Sequence, residues 1–184
     1  MQIIDNVLDT SYLEHLQHLV YKDMPWFCLF DSAFNDIQEK NTDGFSFNHI
    51  LFNEQNKKNS DFFPIFVPAV LTVLNKFNYK KFKLLRARLG LTTKSGSQGT
   101  IHNPHIDFEI PHKVIVFYIN PSNGPTTIYQ EEYTNNTPTI FNILKQVDPV
   151  ANRAIMFNGT HYHSSSKPTT NNFRFVLNID FQPQ

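Results

Sequence analysis

Residues 173–181 read FRFVLNIDF. Phe173, Phe175, Leu177, Ile179 and Phe181 alternate with Arg174, Val176, Asn178 and Asp180, so a strand would carry the two sets on opposite faces. The first face is wholly apolar and has to be buried. The second has two readings. On an edge strand it would lie in water. In a barrel or sandwich it would look into a lined cavity, where an inward arginine offers a rigid two-pronged donor suited to a carboxylate.

Upstream the same kind of run recurs: RAIMF (153–157), TIFNILK (139–145), TTIYQEEY (126–133) and VIVFYIN (114–120). The series opens with KFKLLRARLGLTT (81–93), which sets Arg86 and Arg88 against Leu85, Ala87 and Leu89. Between the runs lie KSGSQGT, PSNGP, DPVAN and SSSKPTTNN, the composition of turns. Short strands at roughly ten-residue spacing predict a sandwich or barrel.

The first eighty residues are of mixed character. DTSYLEHLQHLVYKD (9–23) reads as a helix, with Ser11 and Glu14 at capping-box spacing and Leu13, Leu16, Leu19 and Val20 recurring at helical intervals. MPWFCLF (24–30) reads as a short strand or extended arm, and 53–60 as a polar loop. DFFPIFVPAVLTVLNKF (61–77) reads as a second helix with both prolines in its first half and Val70, Leu71, Val73, Leu74 and Phe77 on its buried side. The expectation is one domain over 1–184, with 1–80 a helical or mixed support region and 81–184 the β core.

Composition removes several function classes. The chain has 184 residues and a formal net charge of zero, so no basic footprint predicts nucleic-acid binding. Cys28 is the only cysteine, which excludes an internal disulfide and a Cys-cluster zinc site. The opening residues lack the pattern of a signal peptide, and no apolar run reaches membrane-span length. A cytoplasmic setting is expected, that of a host cell if the chain is phage- or virus-encoded.

The candidate chemistry begins at NPHIDFEIPHKV (103–114). His105 and Asp107 are two apart, so in extended backbone they face the same way, and Pro104 disfavours a helix through His102 and His105. With 8 His and 16 Asp plus Glu, about 0.7 His-x-acid triplets arise by chance, so HID alone carries nothing. The second cluster is RAIMFNGTHYHSSSKP (153–168), where His161 and His163 follow a strand ending near Gly159. Two His and one carboxylate without Cys suit a redox-active Fe(II) site with open positions, and suit zinc as well. VIVFYIN puts Tyr118 and Asn120 on one face, and a tyrosine hydroxyl with an arginine fork can hold a small diacid.

Taken together, NPHIDFEIPHKVIVFYIN, FNGTHYHSSSKP and FRFVLNIDF resemble the Fe(II)- and 2-oxoglutarate-dependent dioxygenases, in particular their small prolyl-hydroxylase-like branch found in phages and marine bacteria. The resemblance covers about Leu84 to Phe181. It implies a mainly β fold, the double-stranded β-helix (jelly roll), with flanking N-terminal helices. It implies His105, Asp107 and His163 as metal ligands, His163 being favoured over His161 because a glycine, here Gly159, stands four residues before the distal ligand. Arg174, Tyr118 and Asn178 correspond to residues that hold 2-oxoglutarate. Arg86, on a strand bordering the site, and His112 are weaker candidates for lining the substrate; a salt bridge for Arg86 and a supporting role for His112 stay open. Arg88 and Glu109 are no more secure. NGPTTIY departs from the Gly-Gly-acid turn of many prolyl hydroxylases, which puts a prolyl substrate in doubt.

The cofactors implied are Fe(2+), 2-oxoglutarate and O2. The reaction implied is oxidative decarboxylation of 2-oxoglutarate to succinate, coupled to hydroxylation of a C–H bond in a small-molecule or peptide substrate. Two rivals stand beside it: a cupin-like metalloenzyme that also uses His161 and dispenses with 2-oxoglutarate, and a jelly-roll binding module without metal. Loops 93–103, 121–126 and 130–138 are expected to shape access to the site.

Overall fold

The structure, a computed structural model, describes residues 1–29, 46–54, 57, 60–96, 101–134 and 138–184. In chain order its elements are β1 (Gln2–Ile4), α1 (Thr10–Lys22), β2 (Phe27–Leu29), β3 (Ser46–Asn53), α2 (Phe63–Lys76), β4 (Phe82–Thr93) and β5 (Lys113–Tyr118). They continue with β6 (Thr126–Glu132), β7 (Ile143–Val147), β8 (Arg153–Asn158), β9 (His161–Ser165) and β10 (Phe173–Pro183).

β10 is not an edge strand. It lies inside a seven-stranded antiparallel sheet in the order β1-β8-β5-β10-β4-β3-β2, and a three-stranded sheet β7-β6-β9 faces it. The alternation of β10 separates two cores. Phe175, Leu177, Ile179 and Phe181 join Leu89, Ile115, Phe117 and Met156 against α1 and α2. Val176 joins Val114, Val116, Tyr118, Ile155 and Phe157 against Ile128 and Val147 of the small sheet. Full burial of such side chains contributes roughly 1.5–3 kcal/mol each, which holds three layers together without staples. The polar members of β10 therefore point between the sheets, into the cavity reading of its second face.

Both helices form where expected, with two local differences. α1 is capped by Asp9, whose carboxylate accepts from the Ser11 amide at 2.9 Å and the Ser11 hydroxyl at 2.6 Å, so Ser11 is not the cap. The acid outcompetes the expected capping box because it can accept both donors at once. In α2, Leu71 is 44 % exposed, and Phe66 and Ala69 take its place on the buried side. Pro68 lies inside α2, and one turn of its ladder is open. Tyr12 of α1 fills that gap: its hydroxyl donates to Ile65 O at 2.6 Å and accepts from the Ala69 amide at 3.2 Å.

The strand readings differ at four places. β7 begins at Ile143, not at 139, because pairing with β6 and not apolarity sets its bounds; Ile143 and Leu144 are exposed. β1, β3 and β9 are additions to the expected strands. Residues 24–30 do contain a short strand, β2; Phe30 lies outside the described residues, as do parts of the 53–60 loop. Among the described residues no helix is long and apolar enough to cross a membrane.

Candidate metal centre

The segment carrying His105 docks on β9 by a two-way backbone bridge. His105 N donates to His163 O at 3.0 Å and His163 N to His105 O at 2.9 Å, which brings their rings to 4.6 Å between centroids. Asp107 follows, and its Oδ2 lies 3.2 Å from His163 Nε2. One donor atom from each of His105, Asp107 and His163 falls within 4.8 Å of the others. The Nδ1–H of His105 donates to Asn103 O at 3.2 Å, which assigns the lone pair to Nε2.

The charges suit a cation. Burial pushes the His105 imidazole down to about 3, with the His163 ring and the Arg88 charge adding to it, so it stays neutral at ordinary pH. Burial opposes ionisation of Asp107, but the Arg86 charge and a hydrogen bond with His163 outweigh it and hold the carboxyl well below its usual range. Arg86 supplies this from behind. It pairs with Asp107 Oδ1 and, through Nε at 2.9 Å, with Asp180 of β10, leaving Asp107 Oδ2 turned towards the histidines.

His161 is placed apart. Its Nδ1 donates to Tyr129 O at 3.0 Å and its Nε2 lies 3.7 Å from Glu132. The glycine before His163 has a steric reason: a Cβ on Gly159 would fall 2.0 Å from Nε2 of His112, whose carbonyl accepts the Gly159 amide at 2.9 Å. His112 is thus a packing partner of the β8–β9 turn. Neither His112 nor Arg86 is among the residues lining the pocket beside the cluster: the first packs on Gly159 and the second pairs with two acids, the supporting and salt-bridge roles left open above.

That pocket lies between the sheets, and Arg88, His102, Thr126, Arg174, Val176 and Asn178 line it along with His105 and His163. Arg174 is 3 % exposed; its Nη2 donates to Thr126 Oγ1 at 2.7 Å, while its Nε has no hydrogen-bond partner among the described residues. The Tyr118 hydroxyl donates to the same Thr126 oxygen at 2.7 Å, but Tyr118 is fully buried and does not line the pocket itself. Asn120 is structural. Its side chain accepts from Phe175 N at 2.7 Å and donates to Phe173 O at 3.0 Å, bracketing Arg174 on β10.

Two polar residues of this end escape a reading of the sequence. Thr126, the first residue of β6, joins Tyr118 to Arg174. His102 is buried with Nδ1 bonded to Ser165 Oγ at 2.8 Å and Nε2 unpartnered among the described residues. Its only signal in the sequence is proximity to His105. Of the expected access loops, residues 97–100 and 135–137 lie outside the described residues, and 130–132 belong to β6.

No family model matches the chain, and no curated protein matches it. Solved structures do. A 2OG-Fe(II) oxygenase family oxidoreductase from Burkholderia pseudomallei superposes with a TM-score of 0.66 at 11% identity, covering 96% of this chain and 81% of its own. A prolyl hydroxylase from Trichoplax adhaerens, in complex with a hypoxia inducible factor peptide fragment, gives 0.63 at 15% identity over 99% and 83%. The epimerase SnoN, in complex with Fe3+, alpha ketoglutarate and nogalamycin RO, gives 0.66 at 13% identity over 98% and 78%. At these identities the likeness is one of fold: the chain has the jelly-roll fold of the 2-oxoglutarate oxygenases.

Proposed function

We propose that the chain is an Fe(II)- and 2-oxoglutarate-dependent dioxygenase that hydroxylates a C–H bond in a small-molecule or peptide substrate. The observation that carries this is the His105–Asp107–His163 cluster, with donor atoms within 4.8 Å, opening into a pocket that also holds Arg174. The residues fit the groups. Two imidazoles and one carboxylate, without thiols, are the ligand set for Fe(II) with open positions. Arg174, whose Nε has no hydrogen-bond partner among the described residues, brings a cation to the same pocket.

Bound there, iron and 2-oxoglutarate would supply O2 activation, with decarboxylation of the keto acid to succinate driving the C–H hydroxylation. The chain's own residues position and exclude. His105, Asp107 and His163 would hold the metal, and Arg174, oriented by Thr126 and Tyr118, would receive the far carboxylate. Asn178 lines the same space, and Leu91, Val116 and Val176 give it an apolar wall against water. The fold's known neighbours include an oxygenase, a peptide-bound prolyl hydroxylase and an epimerase, so the hydroxylation outcome rests on the reading of this site.

Calorimetric titration of Mn(II)-loaded protein with 2-oxoglutarate tests the proposal. One equivalent should bind, Asp107→Ala should abolish it, and Arg174→Ala should weaken it about 10- to 100-fold through loss of a charge-assisted bond. Loaded wild-type protein that gives no binding heat removes the oxygenase reading. Binding that survives Arg174→Ala intact removes the arginine from the site.

A further inference from the structure

The pocket holds a second arginine for which this anchoring leaves no role. Arg88 stands on the inner face of β4 directly across from Asn178 of β10, and Asn48 of β3 lines the pocket beside them. Its Nε is shut off from solvent and has no hydrogen-bond partner among the described residues. The acids that could neutralise it are taken: Asp107 and Asp180 are both bound by Arg86, two residues earlier on the same face. Arginine does not escape by losing its proton. Arg88 is half-buried with its guanidinium reaching the pocket, and a partly desolvated charge with no hydrogen-bonded acid among the described residues is one that a ligand anion would complete.

Arg174 does not share its ligand with Arg88. It pairs with Thr92, whereas Arg88 pairs with Asn178, four residues further along β10 or roughly 13 Å of strand. Arg88 lies towards the metal cluster, where its charge acts on His105. Amide side chains on either side and a guanidinium fork between them match a planar, two-oxygen anion.

We infer that Arg88, with Asn48 and Asn178, forms a carboxylate-binding subsite at the metal end of the pocket, separate from that of Arg174. The identity of its ligand rests on the oxygenase reading. The carboxylate is either the one beside the keto group of 2-oxoglutarate or one borne by the substrate, which would then be an acid.

Two titrations of Mn(II)-loaded protein distinguish these sources and test the subsite. The first compares 2-oxoglutarate affinity in wild type and Arg88→Gln. The second follows Mn(II)-induced relaxation of the acetate methyl protons in the same proteins, with and without saturating 2-oxoglutarate. A tenfold or larger loss of 2-oxoglutarate affinity assigns the subsite to the cosubstrate. Unchanged 2-oxoglutarate affinity, with acetate relaxation in the saturated wild type that Arg88→Gln abolishes, assigns it to an acidic substrate. If Arg88→Gln changes neither signal, the subsite is overturned while the oxygenase reading stands. Arg88-dependent acetate relaxation in a protein that ignores 2-oxoglutarate upholds the subsite and overturns the oxygenase reading instead. Should Arg88→Gln not fold, Arg88→Lys, which keeps the charge but loses the fork, replaces it with a smaller loss expected in the same arm.

Discussion

Arg86 and Arg88 show what a single residue's sequence context conveys and what it withholds. Both lie on the polar face of one strand, and alternation alone makes them equivalent. Register separates them, because Asp180 stands opposite Arg86 and Asn178 opposite Arg88. Arg86 becomes the brace behind Asp107, and Arg88 is left with its charge directed at the pocket. Partners that orient a ligating carboxylate typically carry 10- to 100-fold of metal affinity. Arg86→Lys keeps a cation but cannot bridge two carboxylates as a fork does. Mn(II) affinity followed by electron paramagnetic resonance should fall by about tenfold in that variant, with little change in 2-oxoglutarate affinity once metal is saturating. Undiminished Mn(II) binding would mean that Asp107 is held by its loop alone.

At the scale of elements, legibility follows burial. β5, β8 and β10 are central strands with apolar faces, and their periodicity announces them. β9 is HYHSS, whose pattern is set by the pocket and by pairing with β6, so no apolar alternation marks it. H-x-D needs only local spacing but stands at the chance rate, so His105 and Asp107 are singled out by the resemblance over the whole β core, as is His163 over His161 through Gly159. The steric account of that glycine makes a prediction about the β8–β9 turn. Gly159→Ala would drive a methyl group into the His112 ring, an overpacking that costs about 1–3 kcal/mol. His112→Ala opens a cavity and is destabilising by itself, yet in the double variant the two losses should fall well short of additive. Thermal denaturation of the four proteins measures the coupling, and strict additivity would show that the ring and the turn do not meet.

The whole molecule places its site where two sheets close on each other, with the helices sealing the far face of the larger one. Strand spacing foretells a sandwich, but not the share of the N-terminal third: β1, β2 and β3 extend the large sheet at both edges, since their pairing is long-range and leaves no local trace. Closing the sheets buries two histidines that must stay uncharged. Burial, with Lys167 and Arg174 adding to it, pushes His102 down to about 4, and His105 falls to about 3. In the unfolded chain both would take up protons near the ordinary value of about 6.5. Between about pH 6.5 and 4 the unfolded state therefore binds more protons than the folded one, so stability falls as the pH falls through that window. Asp107, held below the usual carboxylate range, adds acid sensitivity only below about pH 4, whereas Asp180, which burial raises to about 6, takes up its proton in the folded state within the window and offsets part of the histidine effect. At about 1.4 kcal/mol per pKa unit, His102 accounts for at most about 3.5 kcal/mol of the change. Urea denaturation of the metal-free protein at several pH values should show that slope, and His102→Gln should flatten it by the His102 share. A slope that His102→Gln leaves untouched would mean that the imidazole is protonated in the folded state, paired with an anion or opened to water at the pocket's Arg174 end.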